Sequence, residues 1–442
     1  FYMKNKKWMA ILLGGIMAAS LAAPCSVSAA EKTTLTFWHA MGGTNGEVLQ
    51  QIVDDFNASQ DEIEVKAEYQ GTYDDTITKL KAAMQSDSGL PDVCQMYDVG
   101  TKFMYDSGAV IPVEDKFEST GYDKSSVMDV ISSYYTVDGK QYAMPFNVST
   151  PMLYYNKDVF EAAGLDPETP PTTYDEVLED AKKIVESGAA PVGYSQAIYG
   201  WFFEQQLAGL GVTYGNNDNG RTEAVTAVDF DSNGGGLKVF DMWKKLYDSG
   251  YFEDYGTTTA DTQTAFFSGQ VGMIIESTAI LKNAVDSSPF EVGTGYLPRI
   301  EQNDEGGVII GGGSLWLTDT GNEANEDAAW KFIEYITTPD VQAKWSMGTG
   351  YFAINEKAYE TDDMKAYLEE NPNFETAINQ LKDSPVNCNT AGVLSGVQTE
   401  ARLTFNEIMP QVYDGKLTTQ DAVDQLAASV NKAIENYNES IK

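Results

Sequence analysis

The chain carries a single histidine, His39, and that residue limits the catalysis its side chains can support. A Ser-His-Asp triad would have to be built on it, and no G-x-S-x-G turn accompanies it. No H-E-x-x-H segment and no paired-cysteine spacing suggests a metal site. No P-loop or complete G-x-G-x-x-G is present, because the run Gly311-Gly312-Gly313 lacks the lysine or third glycine such fingerprints require. Neither a metal nor a cofactor is expected, and no residue is expected to be catalytic. One catalytic class survives on residue types, a secreted glycoside hydrolase working through two carboxylates. With 66 acidic residues present, finding a pair of them decides nothing.

Binding chemistry has better material. Only three of the 29 basic residues are arginines, Arg221, Arg299 and Arg402. A guanidinium presents a planar fork of donors that grips phosphate or carboxylate in a bidentate fashion. Arg402 follows the small-residue stretch 391–399 near an expected helix start, where free N–H groups also favour an anion. An ion pair with one of the many carboxylates is the alternative. Aromatics form a second group. Trp38, Tyr73, Tyr97, Trp201, Trp316 and Tyr351 sit within three residues of Gly, Ser or Thr at expected strand ends. Each by itself reads first as core packing, but as a set at strand ends they could line a cleft and stack on a polyol.

The elements that would position these groups alternate. Leu35 and Phe37 alternate with polar residues, and Val48, Ile52, Val53 and Phe56 fall on one helical face. Ile63, Val65 and Ala67 alternate again, Ile77, Leu80 and Met84 make a second helical stripe, and an apolar run surrounds Val93. Strand–helix–strand–helix–strand predicts a parallel sheet flanked by helices. Thr173 and Glu176 form a capping box opening a helix whose inward face is Val177, Ala181, Ile184 and Val185, with Gly188 at its end. Ala422, Leu426, Val430, Ala433 and Ile434 trace a further amphipathic helix. No flexible linker separates independent units, so two lobes joined by several short crossings are expected, with the ligand between them.

Composition bounds the setting. Met3 is followed by Lys4, Lys6 and Lys7, an apolar run from Trp8 to Ala23, and the small residues Ser28-Ala29-Ala30 before Glu31. This reads as a secretory leader over residues 1–30, its apolar run short of the ~20 residues of a spanning helix. Cys25 lies where a lipidated cysteine could stand, with Pro24 before it a poor fit, so the protein is expected outside the cytoplasm, free or lipid-anchored. The remaining ~410 residues exceed what one core organises. A formal net charge of −37 repels nucleic acid and anionic lipid. Cys94 and Cys388 could pair in an oxidising compartment or remain two lone thiols.

Several segments resemble the periplasmic sn-glycerol-3-phosphate-binding proteins. They are Phe37-Trp38-His39-Ala40, Gly71-Thr72-Tyr73, Tyr97-Asp98-Val99-Gly100-Thr101 and the run from Pro145 to Pro151. Leu153 to Asp158, Ala163 to Pro167, Pro170-Pro171, Ile310 to Trp316 and Thr349-Gly350-Tyr351 continue the similarity in the same order. The resemblance implies an α/β, two-lobed periplasmic-binding-protein fold of the maltose-binding-protein type, each lobe a mixed, mainly parallel sheet with helices. It implies one lobe from 31–147 and 298–352, the other from 148–297 and 353–442, crossing near 146–150, 296–300 and 350–354. It implies a monomeric, non-catalytic ABC-importer subunit that delivers a polyol phosphate to membrane permease subunits. The ligand contacts it implies are Tyr73, Asp98, Ser149, Trp201, Ser277, Gly312 or its neighbour Gly311, Tyr351 and Arg402, with Tyr351 and Arg402 on the phosphate. Asp98 departs from the family's glutamate by one methylene, which leaves glycerol-3-phosphate, a glycerophosphodiester and related polyol phosphates open. A maltose-type carbohydrate receptor on the same fold remains the rival reading.

Overall fold

The computed structural model describes residues 32–86 and 89–441. The expected leader over residues 1–30, with Cys25, lies outside the described residues. Two sheets dominate. The first runs Ile63–Tyr69, Thr33–His39, Val93–Tyr97, Gly311–Thr318, Val110–Ile111, with Met144–Ser149 also paired to Gly311–Thr318. Its first three strands are parallel, and Gly311–Thr318 is antiparallel to each of its neighbours. The second sheet runs Val292–Gly295, Pro151–Asn156, Val271–Ser277, Val192–Ser195. The architecture is the expected mixed α/β one.

Strand character follows the residue pattern. In Thr33–His39 the alternate residues Leu35, Phe37 and His39 are buried, while Val93–Tyr97, covered on both faces, is buried throughout. The helix Gly43–Ser59 buries Leu49, Ile52, Val53 and Phe56, with Val48 half-buried at its edge. Of the next stripe Leu80 is buried, whereas Ile77 and Met84 are half-buried. The Thr173–Glu176 capping box forms, its helix Tyr174–Ser187 burying Val177, Ala181 and Ile184 but only half of Val185. Gly188 closes that helix in the left-handed region at φ 77°. The helix Thr419–Ser440 buries all five residues of its expected face and packs against Gln398–Tyr413.

The sheets are linked with little intervening chain. Met144–Ser149 lies in the first and Pro151–Asn156 in the second, so a single residue, Thr150, passes between them. The return path runs from Gly295 to Gly311. The segment 350–355 stays with the first sheet, where Phe352 bridges to Val148 and Asn355 to Val127. The helices Gly200–Gly209, Gly235–Asp248 and Gln398–Tyr413 pack around a core shared with the second sheet. Cys94 and Cys388 do not pair, so of the two readings the lone-thiol one holds. Cys94 sits inside a central strand, where burial pushes its thiol up to about 12.

Candidate functional site

Asp98 follows the end of the strand Val93–Tyr97, and its carboxylate accepts from Arg402 Nη2 at 2.7 Å. Arg402 is reached from the opposite lobe, on the second turn of the helix Gln398–Tyr413. Its Nε and Nη2 also donate to the two oxygens of Glu204, at 2.8 and 2.7 Å. All three side chains are buried. Burial alone would push the guanidinium down, but the carboxylates of Asp98 and Glu204 more than reverse this and hold it firmly protonated. Burial raises the Glu204 carboxyl, and Arg402 pulls it back. Gln398 Nε2 adds a bond to Glu204 Oε1 at 2.7 Å. None of these bonds uses Arg402 Nη1, whose two N–H groups remain available.

The ion-pair alternative for Arg402 is thus realised, with a partner that sequence reasoning missed. Glu204 stands 198 residues away and is one of 66 acids. The nearest local signal was Gly200, one turn earlier. A Cβ there would fall 2.5 Å from Arg402 Cα, so the missing side chain lets the two helices touch. Asn406 Oδ1 accepts from the Gly200 N–H at 2.9 Å and fixes the contact.

A second cluster stands on the first lobe. Tyr73 opens the helix Tyr73–Gln85 directly after the cap Thr72, and its ring stacks on Tyr97 at 5.2 Å between centroids. Its hydroxyl accepts from Asn147 Nδ2 at 2.6 Å, Asn147 Oδ1 accepts from Gln95 Nε2 at 2.7 Å, and Gln95 Oε1 accepts from the Ala40 N–H at 2.8 Å. Burial raises the Tyr73 phenol well above its usual range, and the neighbouring Tyr351 hydroxyl adds to this. Tyr351 is buried against Trp345, its ring stacked at 5.6 Å. Asn147 stands inside the run from Pro145 to Pro151 but is not among the contacts expected there, and Gln95 carries no motif.

The remaining expected contacts lie on strand ends. Ser149 is buried at the end of its strand, in register with Gly311, and Gly312 is opposite Val148. Gly312 has φ +90°, and a Cβ there would be 1.9 Å from the Asn147 carbonyl oxygen. A Cβ on Gly311 would meet the Trp201 ring at 2.8 Å, so that ring lies on the strand backbone. Ser277 ends the strand Val271–Ser277, and its hydroxyl caps the following turn by accepting from the Ala279 N–H at 3.1 Å. No direct bond joins it to Arg402. The buried Tyr199 phenol, raised to about 12 by burial, feels the charges of Arg402, Asp98, Glu204 and Glu276.

Three aromatics differ from expectation. Trp201 stands in the first turn of a helix rather than at a strand end. Trp316 is fully buried core, its indole N–H donating to Ser314 Oγ, and Trp38 bonds the exposed Glu68. Of the other arginines, Arg299 is exposed at a separate cavity of about 510 Å³ lined by none of these residues. Arg221 is held by backbone carbonyls. Among the described residues no group of His, Cys, Asp and Glu is arranged to hold a metal, and no helix is long and apolar enough to cross a membrane.

Residues 51–376 match the family described as bacterial extracellular solute-binding proteins. The chain belongs to that family. This solute-binding protein is 31% identical over 417 residues to the sn-glycerol-3-phosphate-binding periplasmic protein UgpB of Escherichia coli K12, covering 93% of this chain and 94% of that one. A UgpB from Shigella dysenteriae is 30% identical over 420 residues, with the same coverage. In structure it is similar to UgpB from Mycobacterium tuberculosis in complex with glycerophosphocholine, with TM-score 0.79, 21% identity and coverage of 92% and 100%. It is also similar to the cyclic α-maltosyl-1,6-maltose-binding protein of Arthrobacter globiformis, with TM-score 0.76, 26% identity and the same coverage. These relatives are binding proteins rather than enzymes.

Proposed function

We propose that this solute-binding protein captures glycerol-3-phosphate or a related glycerophosphodiester between its lobes and delivers it to the permease of an ABC importer. In this reading the lobes are residues 31–147 with 298–352 and 148–297 with 353–442, the stretch 353–355 still lying against the first sheet at the crossing. The observation that carries the reading is Arg402, buried where the lobes meet, anchored by two carboxylates and left with both Nη1 hydrogens to offer. Those hydrogens and the Tyr351 hydroxyl take phosphate oxygens. Tyr73, Ser149, Ser277 and the backbone at Gly311 and Gly312 bond the remaining oxygens, Asp98 accepts from a glycerol hydroxyl, and Trp201 packs against carbon. The near-full-length similarity to the sn-glycerol-3-phosphate-binding UgpB proteins supports the same ligand class.

A net charge of −37 works against an anionic solute at long range, but ions screen it beyond roughly 8 Å at physiological ionic strength. Recognition therefore falls to the local donors. A charge-assisted hydrogen bond contributes about 1.5–3 kcal/mol, so Arg402→Lys, which keeps the charge but loses the fork, weakens binding roughly ten- to hundred-fold. Calorimetry with glycerol-3-phosphate, glycerophosphocholine and maltose tests this. Binding of maltose alone, indifferent to Arg402→Lys, would overturn the phosphate assignment in favour of a carbohydrate receptor. Hydrolysis of a chromogenic glycoside would overturn the binding role itself.

A further inference from the structure

Arg221 takes no part in the site above, yet the backbone around it is unusual. Asn217, Asp218 and Asn219 have φ/ψ of 55°/45°, 54°/50° and 61°/32°, and Gly220 follows at φ 75°. This is a full left-handed turn, a conformation that L-residues ordinarily enter singly and that persists only where its surroundings enforce it. Asn219 does the enforcing. Its Oδ1 accepts from the N–H groups of Tyr214 and Gly215 at 2.8 and 2.9 Å, and its Nδ2 donates to the Cys388 carbonyl at 3.0 Å. Its own carbonyl accepts from the Leu394 N–H at 2.9 Å.

The turn delivers Arg221 to the junction between lobes. Its Nε donates to the Gly392 carbonyl at 3.0 Å and its Nη2 to the Ala391 carbonyl, both on its own lobe. Its Nη1 crosses to the other lobe and donates to the Tyr134 carbonyl at 2.9 Å, while the guanidinium lies 5.2 Å from the centroid of the Tyr134 ring. Among the described residues no carboxylate pairs with this cation, in a chain that has 66 acids. Gly392, at φ +69°, lets the same ring lie against its backbone, since a Cβ there would be 3.1 Å from Tyr134 Cε2. The Tyr134 phenol in turn feels the charges of Asp98 and Arg402.

We propose that Arg221 is an interlobe latch: a positioning residue that holds the lobes together by gripping Tyr134, and so sets how long solute is retained without touching it. Separation of the lobes breaks the Nη1 bond and the ring contact and leaves the two bonds within its own lobe intact. The latch therefore acts on the closed arrangement alone. A carbonyl and a ring face suit this task better than a carboxylate, because they release the guanidinium without stranding a buried anion.

The effect on solute retention rests on the proposed function, but the effect on closure does not, and two measurements on Arg221→Met and Arg221→Lys separate them. Small-angle scattering of the unliganded proteins reads closure directly. The dissociation rate of glycerophosphocholine, by stopped-flow, reads retention. Arg221→Met is expected to give a larger radius of gyration and dissociation at least ten-fold faster, with the association rate within two-fold of wild type. Arg221→Lys, charged but unable to reach three carbonyls, is expected between the two. Superimposable scattering curves, together with an unchanged dissociation rate where solute binds, overturn the latch. If the wild-type protein binds no glycerophosphocholine, the solute assignment is in question and the scattering comparison alone decides the latch. If Arg221→Met does not fold, Arg221→Lys decides it by the same criteria.

Discussion

Arg402 is the residue on which the two lobes converge, and its removal has a cost separate from any solute. Without it, Asp98 and Glu204 become buried carboxylates with no cation between them. Arg402→Met is expected to destabilise the fold by about 3–5 kcal/mol, and adding Asp98→Asn and Glu204→Gln recovers much of the loss. Urea unfolding of the two variants checks this. His39 gives a cleaner titration. Its Nδ1 accepts from the Met41 N–H at 3.3 Å, and burial lowers its pKa to about 4 against an ordinary value near 6.5. Between these values the unfolded chain binds a proton that the folded one refuses. The neutral histidine therefore contributes stability above pH 6.5 that is lost as the pH falls toward 4. His39→Asn, which keeps an acceptor near Nδ1, is expected to lose less stability than wild type across that window in denaturant titrations at several pH values. The special status of His39 and Arg402 was legible in their scarcity, whereas the partners of Arg402 were not, since any of 66 carboxylates would satisfy the same rule.

At the scale of elements, the strand Gly311–Thr318 does the most positioning, pairing on one edge with Val93–Tyr97 and on the other with Met144–Ser149. The ladder shifts register between Gly313 and Ser314, and Gly312 occupies the left-handed region beside the Asn147 carbonyl. Gly312→Ala is expected to cost roughly 1–3 kcal/mol from backbone strain, with the contact against Asn147 added to that. Because Asn147 Nδ2 holds the Tyr73 hydroxyl, the same variant is expected to weaken solute binding as well as lower the melting temperature. A lowered melting temperature with unchanged affinity would separate Asn147 from the site. Helices were readable wherever the 3.6-residue period ran through three or more buried positions, as in Thr419–Ser440. The aromatic reading was poorer. A tryptophan within a few residues of glycine marks equally a strand end, a helix start such as Gly200-Trp201, or a core strand such as the one holding Trp316.

For the whole molecule, charge and closure set the behaviour. A net charge of −37 repels an incoming glycerol phosphate, so its association rate is expected to rise as sodium chloride goes from about 10 to 150 mM, while a neutral sugar shows no such trend. Stopped-flow fluorescence reads both; a rate that falls with salt would mean a local positive field at the cleft outweighs the total charge. The lobes meet through Arg402 with Asp98, Tyr97 with Thr399 at 2.6 Å, Tyr437 with Asp106 at 2.6 Å, and Arg221 with Tyr134. In sequence these partners lie 304, 302, 331 and 87 residues apart.

Those separations explain the division between what was readable and what was not. Hydrophobic period, capping boxes and glycine stops are local, acting over a few residues, so the mixed α/β architecture and the absence of known catalytic motifs follow from the chain alone. The ligand class rested on ordered motifs shared with a known family. The Arg402–Glu204 pair, the Asn147–Gln95 relay behind Tyr73 and the grip of Arg221 on Tyr134 depend on which distant segments the two sheets bring face to face. Hydrogen bonds and ion pairs between such segments have no period and no fixed spacing, so they exist only once the lobes have packed.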